Sequence, residues 1–199
     1  MAENLTPVWA PNQVFLFTGH MVDRPDSVRV RFPEVLAPAA GRRIAEYLAE
    51  WEAGQQDLAI CGGACGGDLL FAEAALARGL RLEIRLPLPE PEFLAESVEF
   101  APGWKERYFR VAGNARCEVT VLPAAEAGDD RSVWERNNLW MGEAALQWGA
   151  ERVRFLCLWD GNSGYGPGGT ADMVQWAEEN RIPVRQICPQ ELGAGTART

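Results

Sequence analysis

Short apolar runs alternate along the chain with longer stretches whose apolar positions recur at helical spacing, and that alternation predicts the order of elements. Gln13 to Thr18 is a β-rich run ending at Gly19 and reads as a first strand. A polar, proline-containing loop follows over Arg24 to Pro33. In Glu34 to Trp51, Ile44, Leu48 and Trp51 fall at i, i+4 and i+7, one face of a helix. Asp57 to Cys61 reads as a buried strand, Gly66 to Arg78 as an Ala/Leu-rich helix stopped by Gly79, and Leu80 to Leu86 as a third strand. Pro87 to Pro91 breaks the pattern, and Phe93 to Phe100 and Trp104 to Ala112 follow as helices. Glu118 to Leu122 is a fourth strand; Ser132 is placed to cap a helix over Val133 to Trp148. Val153 to Trp159 is a long apolar strand. After a Gly-rich loop over Asp160 to Gly169 come a helix, Thr170 to Asn180, and a strand, Val184 to Ile187.

Strands alternating with helices imply crossover connections and a mainly parallel sheet covered on both faces, a single doubly wound (Rossmann-like) α/β domain. The expected organisation is an N-terminal extension over 1–12, the domain over 13–188 and a loose C-terminal tail over 189–199. In such a sheet, ligands bind beyond the carboxyl ends of the strands.

Composition narrows the function. The chain has 199 residues, 47% hydrophobic and 24% charged, with 19 Lys+Arg against 28 Asp+Glu and a net charge of −9. That balance is typical of a soluble protein and argues against nucleic-acid or anionic-membrane partners, which need a basic surplus. No apolar run is long enough to span a membrane, and Met1 to Pro11 lacks the order of a signal peptide. A cytoplasmic location is expected. The five cysteines, mostly in apolar runs, suit a reducing compartment. Cys61 and Cys65, with the single histidine, do not make a zinc pattern, so neither a metal nor a cofactor is expected. Eight tryptophans and eight phenylalanines fit an aromatic core or an interface equally well.

Three loops at strand ends are candidates for chemistry. Thr18-Gly19-His20 follows the first strand and contains the only histidine, which either closes a turn or meets a ligand. Gly62, Gly63, Gly66, Gly67 and Asp68 follow the second; the spacing of Gly62 and Gly67 is that of a Walker loop, but Asp68 and Leu69 stand where Lys and Ser/Thr belong. Asp160, Gly168, Gly169 and Thr170 belong to the third. Glycine lets backbone approach a ligand closely, and a helix start offers free N–H groups to an anion. Neither Gly-rich loop matches a dinucleotide fingerprint. In the helix from Val133, the face defined by Trp134, Met141, Ala145 and Trp148 is completed by Asn137 and Asn138. An amide in that stripe needs a partner from backbone or ligand, and Arg136 beside it is expected to bring positive charge to the glycine loops.

Together these segments resemble the SLOG superfamily, the Rossmann-like group of LOG enzymes, DprA and YpsA-like proteins. Phe17-Thr18-Gly19-His20 is similar to the first-strand end of the YpsA-like branch, Gly62 through Asp68 to the second-strand motif shared with DprA, and Arg136-Asn137-Asn138-Leu139-Trp140-Met141 to the YpsA-like Arg-Asn-x-x-Met helix. Asp160-Gly161 through Gly168-Gly169-Thr170 resembles the superfamily's phosphate-binding turn. The resemblance implies a site for a nucleotide-derived small molecule, with phosphate on Gly168-Gly169-Thr170 and on the Gly62 to Gly67 loop, in a sensor module; it also implies a homodimer. The alternative it implies is a LOG-like nucleotide N-glycosidase. LOG enzymes carry a catalytic glutamate three residues after the threonine, where this chain has Met173; the nearby acids are Asp172 and, across the strand ends, Asp68 and Asp160.

Overall fold

The computed structural model describes residues 9–162 and 168–193. Six strands form one parallel sheet: β1 (Val14–Gly19), β2 (Leu58–Cys61), β3 (Arg81–Leu86), β4 (Cys117–Val121), β5 (Val153–Leu158) and β6 (Val184–Ile187), in the spatial order β4-β3-β2-β1-β5-β6. The connecting helices are α1 (Ala37–Glu50), α2 (Gly67–Ala77), α3 (Glu90–Ser97), α4 (Trp104–Ala112), α5 (Val133–Leu146), α6 (Thr170–Glu179) and α7 (Pro189–Leu192). This is the doubly wound α/β arrangement expected from the alternation.

Strand order fixes the layers. From β1 the chain steps outward through β2 and β3 to β4, then crosses back to β5 and β6, and right-handed crossovers in opposite directions put helices on opposite faces. One face buries Phe15, Phe17, Ile44, Leu48, Phe71, Phe93, Trp104 and Tyr108 under α1 to α4. Phe17 and Phe71 stack there with ring centroids 4.8 Å apart. The other buries Leu16, Ile60, Met141, Ala145, Phe155 and Met173 under α5 and α6. β1, at the centre, is apolar toward both faces, and Val14 to Phe17 are all buried. A buried carboxylate, Asp57, ties the entry of β2 to its neighbours by accepting from the Gln13 N–H at 2.9 Å and the Gly54 N–H at 2.8 Å.

Local chemistry explains most element boundaries. Ser132 caps α5: its side chain accepts from the Glu135 N–H, and the Glu135 side chain accepts in return from the Ser132 N–H. α3 begins at Glu90, before the expected Phe93, because Pro91 occupies the first turn, where a missing N–H leaves no helix bond unmade. Pro189–Leu192, expected to begin a loose tail, is a short helix with Pro189 buried and Leu192 packed on the core. The expected N-terminal extension and tail otherwise lie largely outside the described residues.

Candidate functional site

The chain reverses direction between β1 and β5, and the ends of these strands leave the crevice where a doubly wound sheet admits ligands. A cleft of ≈ 370 Å³ opens there. At the β1/β5 side it is lined by Gly19, His20, Trp159, Gly168, Gly169 and Thr170; toward β2 and β3 it is lined by Gly62, Asp68, Pro87, Phe93, Asn137 and Met141. Residues from all three sequence-selected loops and from α5 therefore meet in one place. Asp160 sits directly behind this wall; Gly63, Gly66 and Gly67 lie beneath it, packed against β1 and β3.

His20 is buried and tied to the end of β5. The Asp160 N–H donates to His20 Nε2 at 3.1 Å, and Asp160 Oδ1 lies 3.1 Å from the same nitrogen. Burial holds the imidazole below its ordinary value, against the opposing pull of Asp160. Burial alone would raise the Asp160 carboxyl, but hydrogen bonds from Asn162 and the contact with His20 outweigh it and hold it below the usual range. Arg29 reaches its other oxygen at 3.3 Å.

The second loop is built for packing. Gly66 has φ +95°, and a Cβ there would lie 2.7 Å from both the His20 carbonyl oxygen and the Val22 nitrogen. Only glycine lets α2 start this close to the chain leaving β1. The loop's N–H groups are largely committed: Ala64 donates to Asp68 Oδ2 at 3.2 Å, Gly62 donates to the same carboxylate, Cys65 to the Ser97 carbonyl and Gly67 to the His20 carbonyl. The Ala64 and Gly62 N–H groups thus serve Asp68, while those of Cys65 and Gly67 tie the loop to the end of α3 and to the chain leaving β1, in the segment where the sequence placed a phosphate cradle over Gly62 to Gly67. Asp68 is the group that faces the cleft. Burial raises its carboxyl to about 7, although the Ala64 and Gly62 N–H groups oppose the rise.

The third loop presents the start of α6. Gly169, at its N-cap, and Thr170 and Ala171 of the first turn all line the cleft, so the positive end of α6 stands on it. Two side chains hold this turn in place. Asn138 Nδ2 donates to the Gly168 carbonyl at 2.9 Å, and the Gly168 N–H donates to Asp172 Oδ2 at 2.6 Å. Ser163 to Pro167 of the expected Gly-rich loop lie outside the described residues.

Two expected site residues stand elsewhere. Asp172 turns back on Gly168 and lines a small separate pocket beside Leu139 and Trp176, away from the cleft. Met173, at the position of the LOG glutamate, is 1% exposed and part of the core. Arg136 points off the opposite side of α5, donating to the Pro123 carbonyl at 2.6 Å and lying 3.5 Å from Asp129 Oδ2. One residue is about 100° on a helix, so Asn137 turns inward and Arg136 outward. Among the described residues the cations on the cleft are Arg24 and Arg31, from the loop after β1, a segment with neither periodicity nor motif. Their signal was three arginines, Arg24, Arg29 and Arg31, in one short loop of an acidic chain.

No protein-family model matches the chain, and no curated protein matches it by sequence. Among solved structures the chain is similar to DNA processing protein A (DprA) from Streptococcus pneumoniae, at 14% identity and a TM-score of 0.37 over 96% of this chain. It spans 63% of the DprA chain. It is also similar to two structures of the Moco carrier protein from Chlamydomonas reinhardtii. One has 12% identity and a TM-score of 0.36, covering 92% of this chain and 94% of that one. The other has 11% identity and a TM-score of 0.37, covering 92% and 98%. Strand order and helix layers, rather than these distant likenesses, define the fold.

Proposed function

We propose that the chain binds a nucleotide or nucleotide-derived small molecule in the cleft at the ends of β1, β2 and β5, as a sensing module. The observation that carries this reading is the polarity of the cleft. The start of α6, with Arg24 and Arg31 on the same cleft, suits an anionic group, and the part near Asp68 and Asn137, lined by Pro87, Phe93 and Met141, suits a flat ring. A volume of ≈ 370 Å³ falls in the range of small-molecule sites. The loops that carry the resemblance to the SLOG superfamily are the loops that build this cleft, which favours a nucleotide over other phosphorylated ligands; the YpsA-like branch, the homodimer and the cytoplasmic location are parts of the same reading.

A second reading, a nucleotide N-glycosidase, is favoured by one feature. Asp68, rather than Asp172, lines the cleft together with Glu96, and the Asp68 carboxyl, raised by burial to about 7, is suited to protonate a departing base. Both readings are tested by incubating the purified chain with nucleoside monophosphates, cyclic nucleotides, NAD and ADP-ribose, measuring binding by calorimetry and released base by chromatography. Binding without turnover supports the sensor. Base release that disappears in Asp68→Asn supports the glycosidase. Absence of both binding and turnover across the panel contradicts the nucleotide reading.

A further inference from the structure

Two buried oxygens on the cleft have no hydrogen-bond partner: Asp68 Oδ1 and Asn137 Oδ1. Asp68 is 8% exposed and Asn137 is 4% exposed. The rest of each group fixes which atom is left over. Asp68 Oδ2 accepts from Ala64, while Asn137 Nδ2 donates to the Arg85 carbonyl at 3.0 Å and so orients the amide. Folded proteins seldom leave buried acceptors unpaired, and two on one cleft ask for a ligand that donates twice.

Three chemistries place positive charge or donors against two acceptors. A hydroxyl pair brings lone pairs of its own, yet the donors beside these oxygens, Asn137 Nδ2 and the Ala64 and Gly62 N–H groups, are already engaged. A divalent cation needs a shell of oxygen ligands, and among the described residues no group of three His, Cys, Asp or Glu side chains surrounds a metal position. An N–H pair on an aromatic ring needs only the two acceptors and flat apolar surroundings, which Pro87, Phe93 and Met141 provide.

Building on the nucleotide reading above, we propose that the cleft selects a heterocycle with two adjacent N–H donors, the ring N–H and exocyclic amino group of a 2-amino-oxo base such as guanine, received by Asp68 Oδ1 and Asn137 Oδ1. The ionised form of Asp68 is the one that receives an N–H group, so docking of the base releases the carboxyl proton to solvent and binding is expected to strengthen as pH rises through about 7.

The test is calorimetric titration of the full chain with GMP, IMP, AMP and 2′-deoxy-GMP, each with EDTA and with magnesium. IMP lacks only the amino group. GMP is expected to bind at least about tenfold more tightly than IMP or AMP, with 2′-deoxy-GMP equal to GMP and no need for magnesium. In Asp68→Asn the amide oxygen takes the Ala64 and Gly62 N–H groups and presents NH2 to the floor, so the preference for GMP over IMP is expected to vanish. Asn137→Ala is expected to reduce the preference. Equal binding of GMP, IMP and AMP overturns the inference and leaves the nucleotide reading standing. Loss of binding with 2′-deoxy-GMP, or a requirement for magnesium, overturns it in favour of ribose hydroxyls or a cation. Failure of every nucleotide to bind overturns both.

Discussion

At the scale of single residues, Asp68 is the group whose environment departs furthest from that of an exposed side chain on the cleft. Its carboxyl titrates at about 7 in the folded chain against 3.8 for the ordinary group. The folded state therefore holds a proton that the unfolded state releases. The stability this supplies is complete below about pH 4 and is lost as pH rises through about 7, an effect of about 4 kcal/mol. Denaturation of wild type and Asp68→Asn from pH 4 to pH 8 is expected to show a wild-type advantage that shrinks as pH rises; a constant difference would contradict the burial-driven shift. Arg136 gives a prediction of the opposite kind. Because it is bonded to Pro123 and lies beside Asp129, outside the cleft, Arg136→Ala is expected to leave the affinity for anionic nucleotides within about twofold, as surface substitutions generally do. A tenfold loss, measured by the same titration, would return Arg136 to the site.

At the scale of elements, the first turn of α6 and its two clamps carry the anion end of the account. Gly168 and Gly169 are adjacent but constrained by different things. Gly168 has φ +91°, and a Cβ there would lie 2.5 Å from Trp134 Cβ, so Gly168→Ala is expected to lower stability by about 1–3 kcal/mol. Gly169 has φ −88°, open to any residue, so Gly169→Leu is expected to melt within a few degrees of wild type while losing nucleotide binding. Thermal melts with titrations separate the two; a destabilised Gly169→Leu would show that this glycine serves packing instead. Asn138→Ala frees the Gly168 carbonyl and is expected to weaken nucleotide binding about five- to tenfold through a loosened turn. Elements of this kind were readable in the sequence because their signals are local: Ser132 with Glu135 marks the start of α5, and apolar alternation marks β3. Pro91 misled because proline breaks a helix interior but suits its first turn.

At the scale of the molecule, one architectural fact organises the rest: the reversal between β1 and β5 gathers loops distant in sequence around one cleft. The order of elements predicted that gathering, and His20, Asp68, Asn137, Gly169 and Thr170 all reached it. What stayed hidden needed tertiary contacts. Glycines around Gly66 looked free for a ligand until β1 was seen pressed against them. Arg24 and Arg31 lie in a loop without periodicity, so no pattern announced them. Asp172 and Arg136 looked suited by type and were turned away by helix geometry. The most direct test of the central claim is a crystal structure of the chain grown with a nucleoside monophosphate. The phosphate is expected on the Gly169 to Ala171 turn of α6, with the base beside Asp68 and Asn137. A phosphate bound anywhere else, or a base pointing away from Asp68, would contradict it.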